Sequence, residues 1–341
     1  MRSGLLFSFV ATLLLLSSCS MNEFETDISD VSFSDVKFKR LDVDLFETDT
    51  SNLKYHTQEM LKKYGSFYPK FCISVLGNGP GKDSSFAYQL KSFICDKDMR
   101  MIYDKTKNTF TNDAIKDLEI ELTNSFKRAK KLFPDTSLPK QFVLFHSGLN
   151  YRNINVDSTT AVGLEFYLGS ETPIYNQIPQ PIPAYRKRQM DRQYVLRDVV
   201  LSWVLFKFDQ NEPENNLLQS MIESGKYYYC TKRLLPDIED SVLFGYTSKQ
   251  MKYCDEFEKD LWKFFSEKNR LYLNDMKEIL SFNTEGPFTA AISKDCPPAI
   301  ARYMGYRIVC AYMRRNSNVS LPGLMTSNDA QKVLIKAKYK P

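Results

Sequence analysis

The sequence predicts an α+β fold, helix-rich, with a small antiparallel or mixed sheet. Three observations lead there. Two short apolar runs bounded by glycine, Gln141-Phe-Val-Leu-Phe-His-Ser-Gly148 and Ala161-Val-Gly-Leu-Glu-Phe-Tyr-Leu-Gly169, have the length and composition of strands. Longer segments carry apolar residues at helical spacing, among them 190–208, with Leu196, Val199, Val200, Trp203 and Val204 on one side. No internal repeat, low-complexity linker or shift in composition divides residues 36–341, so one domain is expected there.

In chain order, residues 1–18 read as a signal peptide. Arg2 supplies the positive start, Leu5 to Leu16 the apolar core, and Leu16-Ser17-Ser18-Cys19 matches the lipobox of bacterial lipoproteins. The apolar core falls short of the roughly twenty residues of a membrane span. The match implies cleavage before Cys19 and fatty acyl chains such as palmitate on that residue, several of which together hold firmly to a bilayer. Residues 19–35 are polar and acidic with isolated apolar residues, which predicts a flexible tether. In Val36–Phe46 a period-2 pattern slips once, predicting a strand bulged near Lys39-Arg40, or two short strands. Asp49-Thr-Ser-Asn52 offers caps for a helix through about Tyr64. Gly77-Asn-Gly-Pro-Gly81 is a turn, without the Lys-Ser/Thr of a phosphate loop.

Helices are expected near Ser84–Cys95 and over Asn112–Phe133, the second closed by Pro134. The strand at 141–147 then pairs with that at 161–168, with Asn150–Ser158 as the turn between them. A crossing rich in proline (Pro173, Pro179, Pro181, Pro183) leads to the buried helix 190–208 and a further helix from about Pro213 to Tyr229. After the break at Leu234-Leu-Pro-Asp237, Thr247 or Ser248 caps a helix over Lys249–Lys268 whose aromatic stripe is core. Gly286-Pro-Phe288 is a turn, and helices over Pro298–Arg315 and Asn328–Ala337 close the chain.

Lys and Arg number 46 against 41 Asp and Glu, and the surplus is spread out; short clusters such as Arg186-Lys187-Arg188 are too small to suggest nucleic-acid binding. No run after the signal approaches a membrane span. Six cysteines besides Cys19 (Cys72, Cys95, Cys230, Cys254, Cys296, Cys310) contain no CxxC; their even number leaves room for disulfides in an oxidising compartment without fixing any pairing.

Strand, buried helix, then a helix carrying Glu223-Ser-Gly225 is the element order of zinc peptidases of the zincin type, so the expected fold is zincin-like. Those enzymes place two histidines four residues apart on the first helix, with a glutamate beside the first as general base. Here the two histidines are His56 and His146, neither of them on that helix. Asp198 and Ser202 take the i and i+4 positions, and Val199 stands where the base belongs. Asp198, Ser202 and Glu223 are therefore relic candidates for a metal site, with no catalytic residue, metal or cofactor expected. His146, at a strand end, reads as a hydrogen-bonded core or edge residue.

Several stretches together resemble one family, the gliding-motility lipoproteins GldB: the lipobox, Lys39-Arg-Leu-Asp-Val-Asp-Leu-Phe46, Val162–Gly169, Ile222–Tyr229, Phe244-Gly-Tyr-Thr247, Met304–Met313 and the ending Lys336–Pro341. The resemblance implies a lipoprotein of the cell envelope that supports gliding motility and type IX secretion through contacts with other envelope proteins. The acidic run Glu23, Glu25, Asp27 that could act as a surface-export signal is interrupted by Phe24 and Thr26, so the periplasmic face of the outer membrane is expected. It also implies distant kinship with zincin-like peptidases and hence a pseudoenzyme. The alternative function is a metal-dependent hydrolase with an unusual site; a solute-binding lipoprotein would need a deep aromatic-lined cleft.

Overall fold

The computed structural model describes residues 22–80, 84–178, 181–209 and 216–341. The signal segment with Cys19 and the expected helix start at Pro213 lie outside them.

The chain begins with β1 (Phe38–Arg40) and five helices: α1 (Leu41–Phe46), α2 (Leu53–Tyr64), α3 (Phe67–Leu76), α4 (Ser84–Cys95) and α5 (Lys97–Thr109). The long α6 (Asn112–Leu132) leads into β2 (Gln141–Phe145), β3 (Asn153–Val156) and β4 (Thr159–Gly163). The remainder is helical: α7 (Ala184–Lys187), α8 (Val195–Phe208), α9 (Leu217–Leu234), α10 (Asp240–Phe244), α11 (Ser248–Ser266), α12 (Met276–Asn283), α13 (Ile300–Arg315), α14 (Leu321–Met325) and α15 (Ala330–Ala337). The fold is α+β and helix-rich around one mixed sheet, as expected.

The sheet runs β1-β2-β4-β3. β2 pairs with both β1 and β4 in parallel, Val143 opposite Ala161, and only β3 is antiparallel, to β4. The expected pairing of the two apolar runs is present, but as parallel neighbours. The segment read as a turn between them supplies β3 instead, which makes the hairpin with β4. The second strand also ends early, at Gly163, and Leu164–Tyr167 form a 3-10 turn.

The run Phe142–Phe145 is continuous rather than alternating because both faces of the sheet are covered. Phe142, Leu144 and Val162 join the larger core with α6, α8, α9, α11 and α13; Val143, Phe145 and Ala161 join a second core with α1–α4. The expected strand over 36–46 is overturned in its second half, where α1 forms. Leu41 and Leu45 fit a helix as well as a strand, but Phe46 is buried beside them and Arg40 folds back onto Asp42 with a 2.8 Å ion pair.

Local signals hold elsewhere. Thr247 and Gln250 make a reciprocal capping box at the start of α11, and Thr111 caps α6. Residues 22–35, expected as part of a flexible tether, lie along the body. Phe24 meets Tyr229 edge-on at 5.8 Å and Phe33 stacks on Phe126, while Glu25 pairs with Arg128 at 3.1 Å and Asp30 with Lys131 at 2.7 Å. The scattered apolar residues act as anchors, Glu25 and Asp30 meet basic side chains of α6, and Glu23 meets Arg314 of α13. None of the six cysteines outside the N-terminus is bridged; five are buried thiols and Cys95 is exposed. Among the described residues no helix is long and apolar enough to cross a membrane.

Candidate functional site

α8 packs against β3 and β4 and against α6 and α9. It buries Val195, Val199, Val200, Trp203 and Val204, as its apolar spacing requires. The expected helix 190–208 is a 3-10 turn at Arg192–Tyr194 followed by α8. Its first turn brings a carboxylate to the edge of this packing. Asp198 is 7 % exposed and its two oxygens are fully engaged. Arg197 Nε donates to Oδ1 at 2.6 Å; Arg152 Nη1 and Tyr167 Oη donate to Oδ2 at 3.2 and 2.8 Å. Burial alone would pull the Arg197 guanidinium down, but Asp198 beside it turns the balance and its pKa lies above the ordinary value. Burial, with the Asp198 charge added, pushes the Tyr167 hydroxyl well above its usual range, so it stays a donor.

The other two sequence candidates are not gathered around Asp198. Ser202 Oγ donates back to Val199 O at 3.0 Å, within its own helix. Glu223 pairs at 2.6 Å with Lys226, whose ammonium is buried and also donates to Ser327 O, on the side of α9 towards α14 and α15. Its neighbour Gly225 is spent on packing: a Cβ there would stand 2.3 Å from the Gly305 carbonyl carbon on α13. Among the described residues no three His, Cys, Asp or Glu side chains come together as a metal-ligand set.

Asp198 instead borders a cleft of about 300 Å³ between α8, α9, the segment around α7 and the start of α13. Four arginines line it: Arg152, Arg188, Arg197 and Arg302; the acids are Asp198 and Glu285. Aromatic side chains fill in between, including Tyr227, Tyr228 and Phe244. Ala299, also in the lining, holds a left-handed backbone (φ 50°) at the start of α13, a conformation that costs a residue with a Cβ of order 1 kcal/mol or more. Arg302 hydrogen-bonds Tyr228; burial opposes its charge, and Tyr228 and Glu285 outweigh that and raise its pKa.

His146 is buried at the end of β2. Its Nε2 lies 3.2 Å from Met99 O and its Nδ1 3.6 Å from Glu165 Oε1, and its ring meets Phe46 edge-on. Glu165, wholly buried, also takes the backbone N–H and hydroxyl of Ser147, both at 2.8 Å. This group is closed to solvent and belongs to the core. His56 sits on α2, 4.0 Å from Glu59 on the same helix. Sequence reasoning did not find the cleft arginines. They come from a loop, the segment after α7 and two helices, with no spacing that links them.

No curated protein and no solved structure matches the chain. A family model does, that of gliding motility protein GldB, over residues 21–341. With nearly its whole length matched, the chain belongs to the GldB family of gliding motility proteins.

Proposed function

We propose that the chain is a non-catalytic lipoprotein of the cell envelope, anchored through Cys19 to the outer membrane on its periplasmic side. There it supports gliding motility and the type IX secretion machinery through protein contacts. Family membership implies the motility role. The non-catalytic reading rests on one observation above others. The Asp198 carboxylate is already committed to Arg197, Arg152 and Tyr167. A metal ion approaching it would face two guanidinium charges, and the imidazoles that hold zinc in peptidases are absent from α8. Val199, where a general base would stand, is a buried aliphatic.

The test is purification of the full chain from its own cells under native conditions. Envelope proteins of the motility and secretion apparatus are expected to co-purify, and elemental analysis is expected to find no stoichiometric zinc. Near-stoichiometric zinc that Glu223→Ala removes would return the chain to the hydrolases. Cys19→Ala is expected to abolish partitioning into detergent; a variant that still partitions refutes the anchor.

A further inference from the structure

We propose that the cleft beside Asp198 binds a small amphipathic carboxylate, a compound with one carboxylate head on a short apolar or aromatic body. This stands independently of the motility role and of any partner protein. The argument begins with how the four arginines spend their donors. Arg197 is turned inward: beyond Asp198 it gives Nη1 to Val242 O at 3.3 Å and Nη2 to Gln189 Oε1 at 3.0 Å. Arg152 gives one nitrogen to Asp198 and lies over the rings of Phe166 and Tyr167, which leaves donors over. Arg302 engages Tyr228. The guanidinium of Arg188, exposed at the rim, makes no hydrogen bond or ion pair to any described residue.

Four guanidiniums against two carboxylates leave the lining with a surplus of two positive charges. Asp198 is consumed by its own partners, and Glu285, which also acts on Arg302, has one ion pair, a long and exposed one of 4.0 Å to Arg186. A planar guanidinium fork suits a carboxylate in both geometry and charge. A bare polyanion fits the rest of the wall poorly, because Leu201, Leu205, Tyr185, Tyr227 and Phe244 offer carbon surface that it would leave uncovered. The volume of about 300 Å³ is at the small end for ligand pockets and takes a body the size of one amino-acid side chain with its carboxylate.

The experiment is calorimetric titration of the full chain with N-acetylphenylalanine, with its C-terminal amide, and with inorganic phosphate. The acid is expected to bind saturably and the amide at least about tenfold more weakly, since the amide cannot accept a charge-assisted pair. Arg188→Gln is expected to weaken the acid about tenfold while its melting temperature stays that of the wild type, because the substitution breaks no bond to another described residue. A tripeptide ending in phenylalanine and free phenylacetate separate the two sources of such a head group; tighter binding of the first assigns the site to chain ends, of the second to free small acids. Equal binding of acid and amide, or of wild type and Arg188→Gln, overturns the role given to the arginines. Phosphate binding as tightly as the acid overturns the amphipathic assignment, and absence of saturable acid binding overturns the site.

Discussion

Gly305→Ala isolates one contact on which the larger core depends, the crossing of α9 and α13. A Cβ built on Gly305 would lie 1.7 Å from Met221 O, 2.5 Å from its carbonyl carbon and 3.2 Å from its Cα. These are backbone atoms of α9, so no rotamer change can relieve the overlap. Bringing 1.7 Å out to the 3.0 Å below which real Cβ contacts essentially do not occur requires the helices to part by about 1.3 Å. A gap of about 0.5–1 Å already forfeits a quarter to a half of the dispersion energy of the atoms facing it. Met221, Ile222, Met304, Ile308 and Val309, all buried to within 1 %, lie on these two helices. Overpacking commonly costs about 1–3 kcal/mol and rises when the obstacle cannot move. Alanine returns about 1 kcal/mol of helix propensity. With the obstacle a backbone that cannot move, the overpacking cost is taken above that range, at about 3–5 kcal/mol, so the net expectation is a loss of about 2–4 kcal/mol, or roughly 3–6 °C in melting temperature for a domain of about 300 residues. Thermal melts followed by far-UV circular dichroism read it directly. Gly286→Ala, whose Cβ would meet only Phe288 O at 3.7 Å, serves as the control and should melt within about 2 °C of the wild type. A Gly305→Ala variant as stable as that control would refute the close-crossing argument.

Asp198→Asn keeps the shape of the site but leaves the buried Arg197 charge uncompensated. It should cost about 2–4 kcal/mol in urea unfolding, whereas Ser202→Ala, which loses only a bond within its own helix, should stay within about 0.5 kcal/mol. Equal stability of the two variants would show that the ion pair is not what holds Asp198. Thiol titration with a disulfide reagent at pH 8 should modify Cys95 quickly and the other five described cysteines only on unfolding; fast loss of a second thiol contradicts their burial. Burial pushes Cys72, Cys296 and Cys310 up to about 12, and Cys230 and Cys254 are raised as well. A group raised on folding contributes stability that is complete below its unfolded pKa, about 8.5 for a thiol, and lost as pH rises towards the folded value. Stability should therefore fall between pH 8.5 and 10.5, by about 1.4 kcal/mol per buried thiol and pH unit at most, and a flat profile there would contradict the buried, protonated thiols.

How far the sequence could be read depends on whether the deciding force was local. Helices with a terminal signal and a one-sided apolar stripe were legible, as with Pro134 after α6 and Thr247 before α11, because signal and stripe lie within a few residues of each other. The segment 41–46 was misread because Leu41 and Leu45 satisfy both periods, and only the packing of Phe46 and Asp42 beneath the sheet separates them. α3, α5, α7, α10, α12 and α14 were not anticipated. The direction of β2 and β4 was equally hidden: an apolar run says that both faces are covered, not whether its neighbour runs parallel.

The family, the helix-rich α+β class and the missing imidazoles on α8 were determined by the sequence itself, since each is a matter of residue identity or order along the chain. Tertiary structure alone decided the site. Asp198 and Glu223 come from adjacent helices, yet one turns to Arg197 and Arg152 and the other to Lys226, because Gly225 against Gly305 fixes which face of α9 meets α13. Arg152, Arg188, Arg197 and Arg302 share a cleft only after four separate segments have packed, and side chains brought together by long-range packing leave no spacing in the sequence to read.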